Sequence, residues 1–150
     1  MTGKATIWDP LRKKEVALTP EERVRQWCIG VLAGQLGVPM HMMMSEAPFR
    51  LGGKQYRADI IVYDRKVHPL VVVECKRPGV ELDGAVLDQA VRYNMVLDVL
   101  YMIITNGRKT CICRRVVDGE MRRYVFVDSI PAYAAMLEEL ASEEACRNQE

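Results

Sequence analysis

Asp59, Glu74, Lys76, Gln89 and Tyr93 are the residues of this sequence whose types and spacing could do chemistry. Glu74 and Lys76 close an apolar run in "PLVVVECKRP". Alternate side chains of a strand point to opposite faces, so these two share a side while Val71, Val73 and Cys75 take the other. A carboxylate in such a run is normally paired or bound to a metal, because burying it alone costs several kcal/mol. A short hairpin from the preceding run, "YRADIIVYD", brings Asp59 beside Glu74. Two converging carboxylates repel unless a cation lies between them, and hard oxygen ligands of this kind suit Mg²⁺ or Mn²⁺. Lys76 alongside is fitted to orient a metal-bound water or to offset negative charge developing at phosphorus. Cys75 has no histidine near it in sequence to activate its thiol, which argues against a nucleophile; its backbone carbonyl is a candidate metal ligand.

Each signal has a blander counterpart. An acid and a lysine two apart at a strand end commonly form only an exposed salt pair. Gln89 and Tyr93, one helical turn apart on one face, also suit a buried tyrosine with a hydrogen-bond partner. Arg57 and Arg77 flank the acidic residues, where a phosphate contact and a solvated rim charge are equally consistent. Arg114, Arg115, Arg122 and Arg123 could form a DNA-facing patch, half of them pointing each way. His41 and His68 stand alone and read as structural or exposed.

The elements that must position these residues are legible from periodicity and punctuation. Residues 1–18 are polar and read as a loosely packed lead-in. "TPEERVRQWCIGVLAGQLG" is a helix, with Thr19 as N-cap, Pro20 at the first helical position and Glu21 and Glu22 at its positive end. Val24, Trp27, Cys28, Val31 and Leu32 give it an apolar stripe, and Gly37 is its natural stop. Strands are expected over Met43–Leu51, Tyr56–Tyr63 and Leu70–Lys76, then a helix over Leu82–Val99. "LYMIITN" is a further strand. "KTCICRRVV" and "MRRYVFV" form a hairpin across Asp118-Gly119. A helix capped by Ser129 covers about 129–145. The order α, β, β, β, α, β, β, β, α predicts an α/β fold, a mixed sheet flanked by helices.

A chain of 150 residues suits one domain, here with a core over about 19–127. Hydrophobic residues make up 49% and charged residues 27%, a globular composition. The net charge is +1, from 21 basic and 20 acidic residues, which argues against a strongly basic nucleic-acid binder. No apolar run is long enough to span a bilayer and no secretory leader is evident, so no membrane partner and a cytoplasmic location with reduced thiols are expected. The five cysteines include a C-x-C pair, Cys111 and Cys113, without a second pair at zinc-ligand spacing.

Asp59 followed by Glu74-Cys75-Lys76 resembles the PD-(D/E)xK nuclease motif. With Gln89-x-x-x-Tyr93, "TPEERVRQ", "RADIIVYD" and "TNG", the stretch Thr19–Gly107 resembles the nuclease domain at the N-terminus of type I restriction enzyme R subunits. That resemblance implies a restriction-endonuclease-like core and Mg²⁺- or Mn²⁺-dependent cleavage of DNA. It implies metal held by Asp59 and Glu74, a catalytic role for Lys76, and Gln89 and Tyr93 beside the site. A glutamate of the first helix joins the metal in such domains, and Glu21, three residues before Val24, is the better match than Glu22. Ala58 stands where the motif has proline, a lenient position. No G-x-x-x-x-G-K-[ST] occurs, so the translocase of R subunits has no counterpart here. A motor or specificity subunit is an expected partner. A catalytically silent nuclease-fold module that binds nucleic acid or protein is the alternative, and oligomeric state is left open.

Overall fold

The computed structural model describes residues 4–148. Strands β3 (Met43–Leu51), β4 (Lys54–Tyr63), β5 (Pro69–Cys75), β6 (Tyr101–Thr105), β7 (Thr110–Asp118) and β8 (Met121–Val127) form one six-stranded sheet in sequential order. Every neighbouring pair is antiparallel except β5 and β6, which run parallel. A parallel pair needs a crossover, and the segment carrying helix α2 (Gly84–Asn94) supplies it. Helices α1 (Pro20–Gly34) and α3 (Tyr133–Asn148) complete the expected order.

Each face of the sheet has its own core. Val24, Cys28, Ile29 and Leu32 of α1 and Met136 of α3 pack with Ile60, Val62, Val71, Val73 and Cys75. On the opposite face lie Ala58, Ile61, Val72 and Met102, with Ala90 of α2 over Ile104. β5 and β6 are apolar on both sides because both sides are covered. Tight local devices fix the register. The β3–β4 hairpin turns through Gly52 and Gly53, both at positive φ as a primed turn requires. Gly107 after β6 also has positive φ, and a Cβ there would meet Val24 of α1 at 3.2 Å.

The structure corrects several expectations. The lead-in is a folded hairpin, β1 (Thr6–Asp9) and β2 (Lys14–Ala17). Asp9 is wholly buried, accepting from the Leu11 N–H and the Arg12 guanidinium. Thr19 caps α1 as expected, its Oγ accepting from Glu22 N at 3.0 Å. The helix ends at Gly34, before Gly37, and Trp27 is 49% exposed while Ile29 takes the core position. α2 is shorter than Leu82–Val99: Asp83 caps it, accepting from Val86 N, and a 3₁₀ turn over Met95–Leu97 follows Asn94. α3 begins at Tyr133, beyond Pro131, rather than at a Ser129 cap. Proline disfavours helical backbone in the residue before it.

Candidate active site

β5 ends at Cys75, where Lys76 N donates to Thr105 O of β6 at 2.8 Å and Arg77-Pro78 turns the chain away. Glu74 points to the α2 side and Cys75 to the α1 side, as alternation requires. Lys76 lies one residue past the strand yet keeps to the side of Glu74, its Nζ 3.0 Å from Oε2. Asn94 Nδ2, at the last turn of α2, donates to the other oxygen of Glu74 at 3.0 Å and to Ala90 O at 2.8 Å. The Glu74 carboxylate is thus held from both sides.

Between the β5 end and α2 lies a cleft of about 360 Å³, lined by Glu74, Lys76, Gln89 and Tyr93 together with Val80, Val86 and Ala90. Four residues singled out from the sequence therefore face one space. Tyr93 is anchored to the neighbouring strand: its hydroxyl accepts from Arg57 N at 3.0 Å and donates to Arg57 O at 3.4 Å. Its ring tilts against Tyr56, which stacks on Phe49, its partner across the β3–β4 ladder.

Asp59 sits mid-strand in β4 rather than at a strand start. The β4–β5 pairing runs Val62↔Val71, Ile61↔Val72, Ile60↔Val73 and ends there, short of Glu74 and of Asp59. Its Oδ2 accepts from Cys75 N at 2.7 Å, standing in for the next ladder bond, and its Oδ1 accepts from Arg25 Nη2 at 3.2 Å. Burial pushes the Asp59 carboxyl above the usual range. The Cys75 N–H and Arg25 pull it down, and the charges of Glu21 and Glu74 push it up again. Desolvation and the acidic neighbours together outweigh the Cys75 N–H and Arg25.

The first helix divides its two acids otherwise than expected. Glu22 is the inward one, buried and paired with Arg12 at 2.7 Å and Arg25 at 3.1 Å. Glu21 is 48% exposed, 3.8 Å from Arg25, and near enough to Asp59 for its charge to be felt there. Sequence reasoning missed Arg25, Glu46 and Asn94. Arg25 follows Glu21 and Glu22 at helical pairing distance, a signal that was present. Glu46 has positive φ, unusual for a non-glycine residue, and pairs with Arg25 at 2.8 Å and with Arg57. Nothing local marks Asn94 beyond its place next to Tyr93.

The Cys75 thiol lies away from the cleft, 4.0 Å from Cys28 Sγ, and that contact with burial raises its pKa far above the ordinary thiol value. It is a poor nucleophile. The arginines of the β7–β8 hairpin do not form a free patch. Arg114 pairs with Glu139, Arg115 with Asp98 and Glu143, and Arg122 with Asp98, leaving Arg123 exposed. Arg57, Arg77 and Arg92 are also exposed, Arg57 paired with Glu46 and Arg92 with Asp88. His41 and His68 are exposed.

Among the described residues, no three His, Cys, Asp or Glu side chains are gathered as a ready-made metal cage. The donor set still fits Mg²⁺ or Mn²⁺. Asp59 and Glu74 are close enough for the charge of one to be felt at the other, and such ions take one or two carboxylates and complete their shell with water and phosphate. Among the described residues no helix is long and apolar enough to cross a membrane.

The family model described as type I restriction enzyme R protein N terminus (HSDR_N) matches residues 20–131. Among solved structures, a fragment described as the HsdR subunit of a type I restriction enzyme from Vibrio vulnificus YJ016 is similar in fold. It has a TM-score of 0.60 and 20% sequence identity over 85% of this chain and 26% of that one. The chain thus spans 26% of the length of that fragment. No curated protein matches it.

Proposed function

Since the chain belongs to the family of the type I restriction enzyme R protein N terminus, we propose that it is a metal-dependent endonuclease hydrolysing DNA phosphodiester bonds. The observation that carries this reading is the shared cleft of Glu74, Lys76, Gln89 and Tyr93, with Asp59 near enough to Glu74 for its charge to be felt there. Asp59 and Glu74, with the Cys75 carbonyl and with Glu21 nearby, are the residues that would hold Mg²⁺ or Mn²⁺. A divalent ion bound there supplies Lewis-acid polarisation of the phosphate and a water of lowered pKa.

The chain's own residues do the rest. Lys76 Nζ spends one hydrogen bond on Glu74 and has donors left for the attacking water or a phosphate oxygen. Asn94 fixes one oxygen of the Glu74 carboxylate at the cleft wall. Gln89 reads or orients the substrate backbone, and Tyr93, tied to β4, keeps α2 at a set distance from the strand end. Arg57, Arg77 and Arg92 offer phosphate contacts around the rim. A motor or specificity subunit is the expected partner, since R proteins act in an assembly.

Cleavage of supercoiled plasmid in Mg²⁺ or Mn²⁺, beside EDTA and Lys76→Ala, tests the reading. Nicking that needs the metal and falls by about 10²–10³ in the variant is expected. Cleavage by Lys76→Ala at the wild-type rate removes Lys76 from the mechanism. One observation favours a second reading, a silent nuclease-fold module: Arg25 already stands at Asp59 as a cation. Absence of any Mn²⁺ site dependent on Asp59 and Glu74 would select it.

A further inference from the structure

Arg25 is a buried arginine with an unusual set of neighbours. Its side chain is 5% exposed, and one nitrogen, Nη2, faces Glu46 Oε1 at 2.8 Å, Asp59 Oδ1 at 3.2 Å and Glu21 Oε1 at 3.8 Å. Its Nη1 meets Glu22 Oε1 at 3.1 Å, and its buried Nε has no partner. Glu22 is steadied from the far side by Arg12 and by Gln26 Nε2 at 3.0 Å. Four carboxylates therefore share one guanidinium, and the charge of Glu74 is felt at Asp59.

In this arrangement Arg25 is the buried cation at the centre, while Arg12 and Arg57 pair with Glu22 and Glu46 at the edges. A divalent ion approaching Asp59 meets Oδ1 already engaged by Arg25, while Oδ2 is engaged by Cys75 N. Two cations at one buried carboxylate oxygen repel. Glu46 and Glu22 give Arg25 a place to go without leaving the cluster, because it is bonded to both already.

We propose that Arg25 is the resident counter-cation of Asp59, holding that carboxylate in the metal-free protein and withdrawing onto Glu46 and Glu22 when a divalent cation binds. It is a positioning residue that tunes metal occupancy. The inference rests on the metal-binding reading above and adds an internal competitor to it.

The test is calorimetric titration of Mn²⁺ into the DNA-free wild type, Arg25→Met and Arg25→Lys. Arg25→Met removes the competing charge at similar length and is expected to bind Mn²⁺ roughly tenfold more tightly. Its metal-free form melts lower, since the carboxylates lose their cation. Arg25→Lys keeps the charge and stays near the wild-type affinity. Because Arg25→Met could fail to fold, the wild type carries a second readout: the Arg25 Nε–H resonance followed during Mg²⁺ titration. It is expected to move and to saturate with the metal. Equal or weaker Mn²⁺ binding by a folded Arg25→Met, or a resonance unmoved at saturation, overturns the counter-cation inference alone. No Mn²⁺ binding by the wild type overturns it together with the functional reading.

Discussion

Asp59, proposed above as a metal ligand, carries a thermodynamic burden. Its carboxyl titrates above the ordinary value because burial and the charges of Glu21 and Glu74 outweigh Arg25 and the Cys75 N–H. A carboxyl whose folded pKa exceeds its unfolded one binds its proton more tightly in the folded state. The stability it contributes is complete below the unfolded value, about 3.9, and is lost as pH rises through the folded value. Asn at this position cannot ionise and still offers one oxygen to Cys75 N. Asp59→Asn is therefore expected to melt higher than the wild type at pH 7 in EDTA, with the gap closing toward pH 4. Thermal melts across that range check it, and a variant less stable at pH 7 refutes the account. Residue types were the most legible layer of the site. Asp59, Glu74 and Lys76 announce themselves because charges interrupt apolar runs, and Gln89 and Tyr93 because of their helical spacing. Arg25, Glu46 and Asn94 escaped because each acts through a partner far away in the chain: Arg25 on Asp59, Glu46 on Arg57, Asn94 on Glu74.

At the scale of elements, the strands and helices that carry a strong period were readable and those held by charge were not. β5 and β6, apolar but for Glu74 and Thr105 and bounded by Lys76 and Asn106, could hardly be misread. The β1–β2 hairpin has four-residue strands of mixed polarity, "TIWD" and "KEVA", with no core stripe. What anchors it is an alternating chain of charges: Asp9 to Arg12, Arg12 to Glu22, Glu22 to Arg25, Arg25 to Asp59. No periodicity reports such a chain, because its links are tertiary. The start of α3 was misplaced for a related reason: Ser129 is a good cap by type, but Pro131 keeps the residue before it out of helical backbone. The hairpin lies outside the matched stretch 20–131, yet its Arg12 touches the acid that orients Arg25. Arg12→Ala is expected to cost about 1–3 kcal/mol by leaving buried Asp9 and Glu22 short of a donor. Urea unfolding measures that loss. An unchanged midpoint would mean that the hairpin rests on α1 without being tied to it.

Across the whole molecule, near-neutral net charge conceals a local cluster of paired charges. Glu21, Glu22, Glu46, Asp59 and Glu74 gather near the β4–β5 ladder end, interleaved with Arg12, Arg25, Arg57 and Lys76. The acids are in slight excess there, which on the proposed reading favours a divalent cation. On that reading the folded protein is more stable with metal than without. A ligand that binds only the folded state stabilises by RT ln(1 + [L]/Kd), about 2.7 kcal/mol at a hundredfold excess over Kd. Protons compete for Asp59, whose folded pKa lies above the ordinary value, so metal binding there releases a growing fraction of a proton as pH falls toward that pKa. The gain in melting temperature from Mg²⁺ is therefore expected to be smallest near pH 4 and to grow as pH rises through the folded pKa of Asp59, with no such growth in Asp59→Asn. Melts at fixed Mg²⁺ over this range test the link. A gain independent of pH, or one kept in full by Asp59→Asn, would place the ion elsewhere than between Asp59 and Glu74.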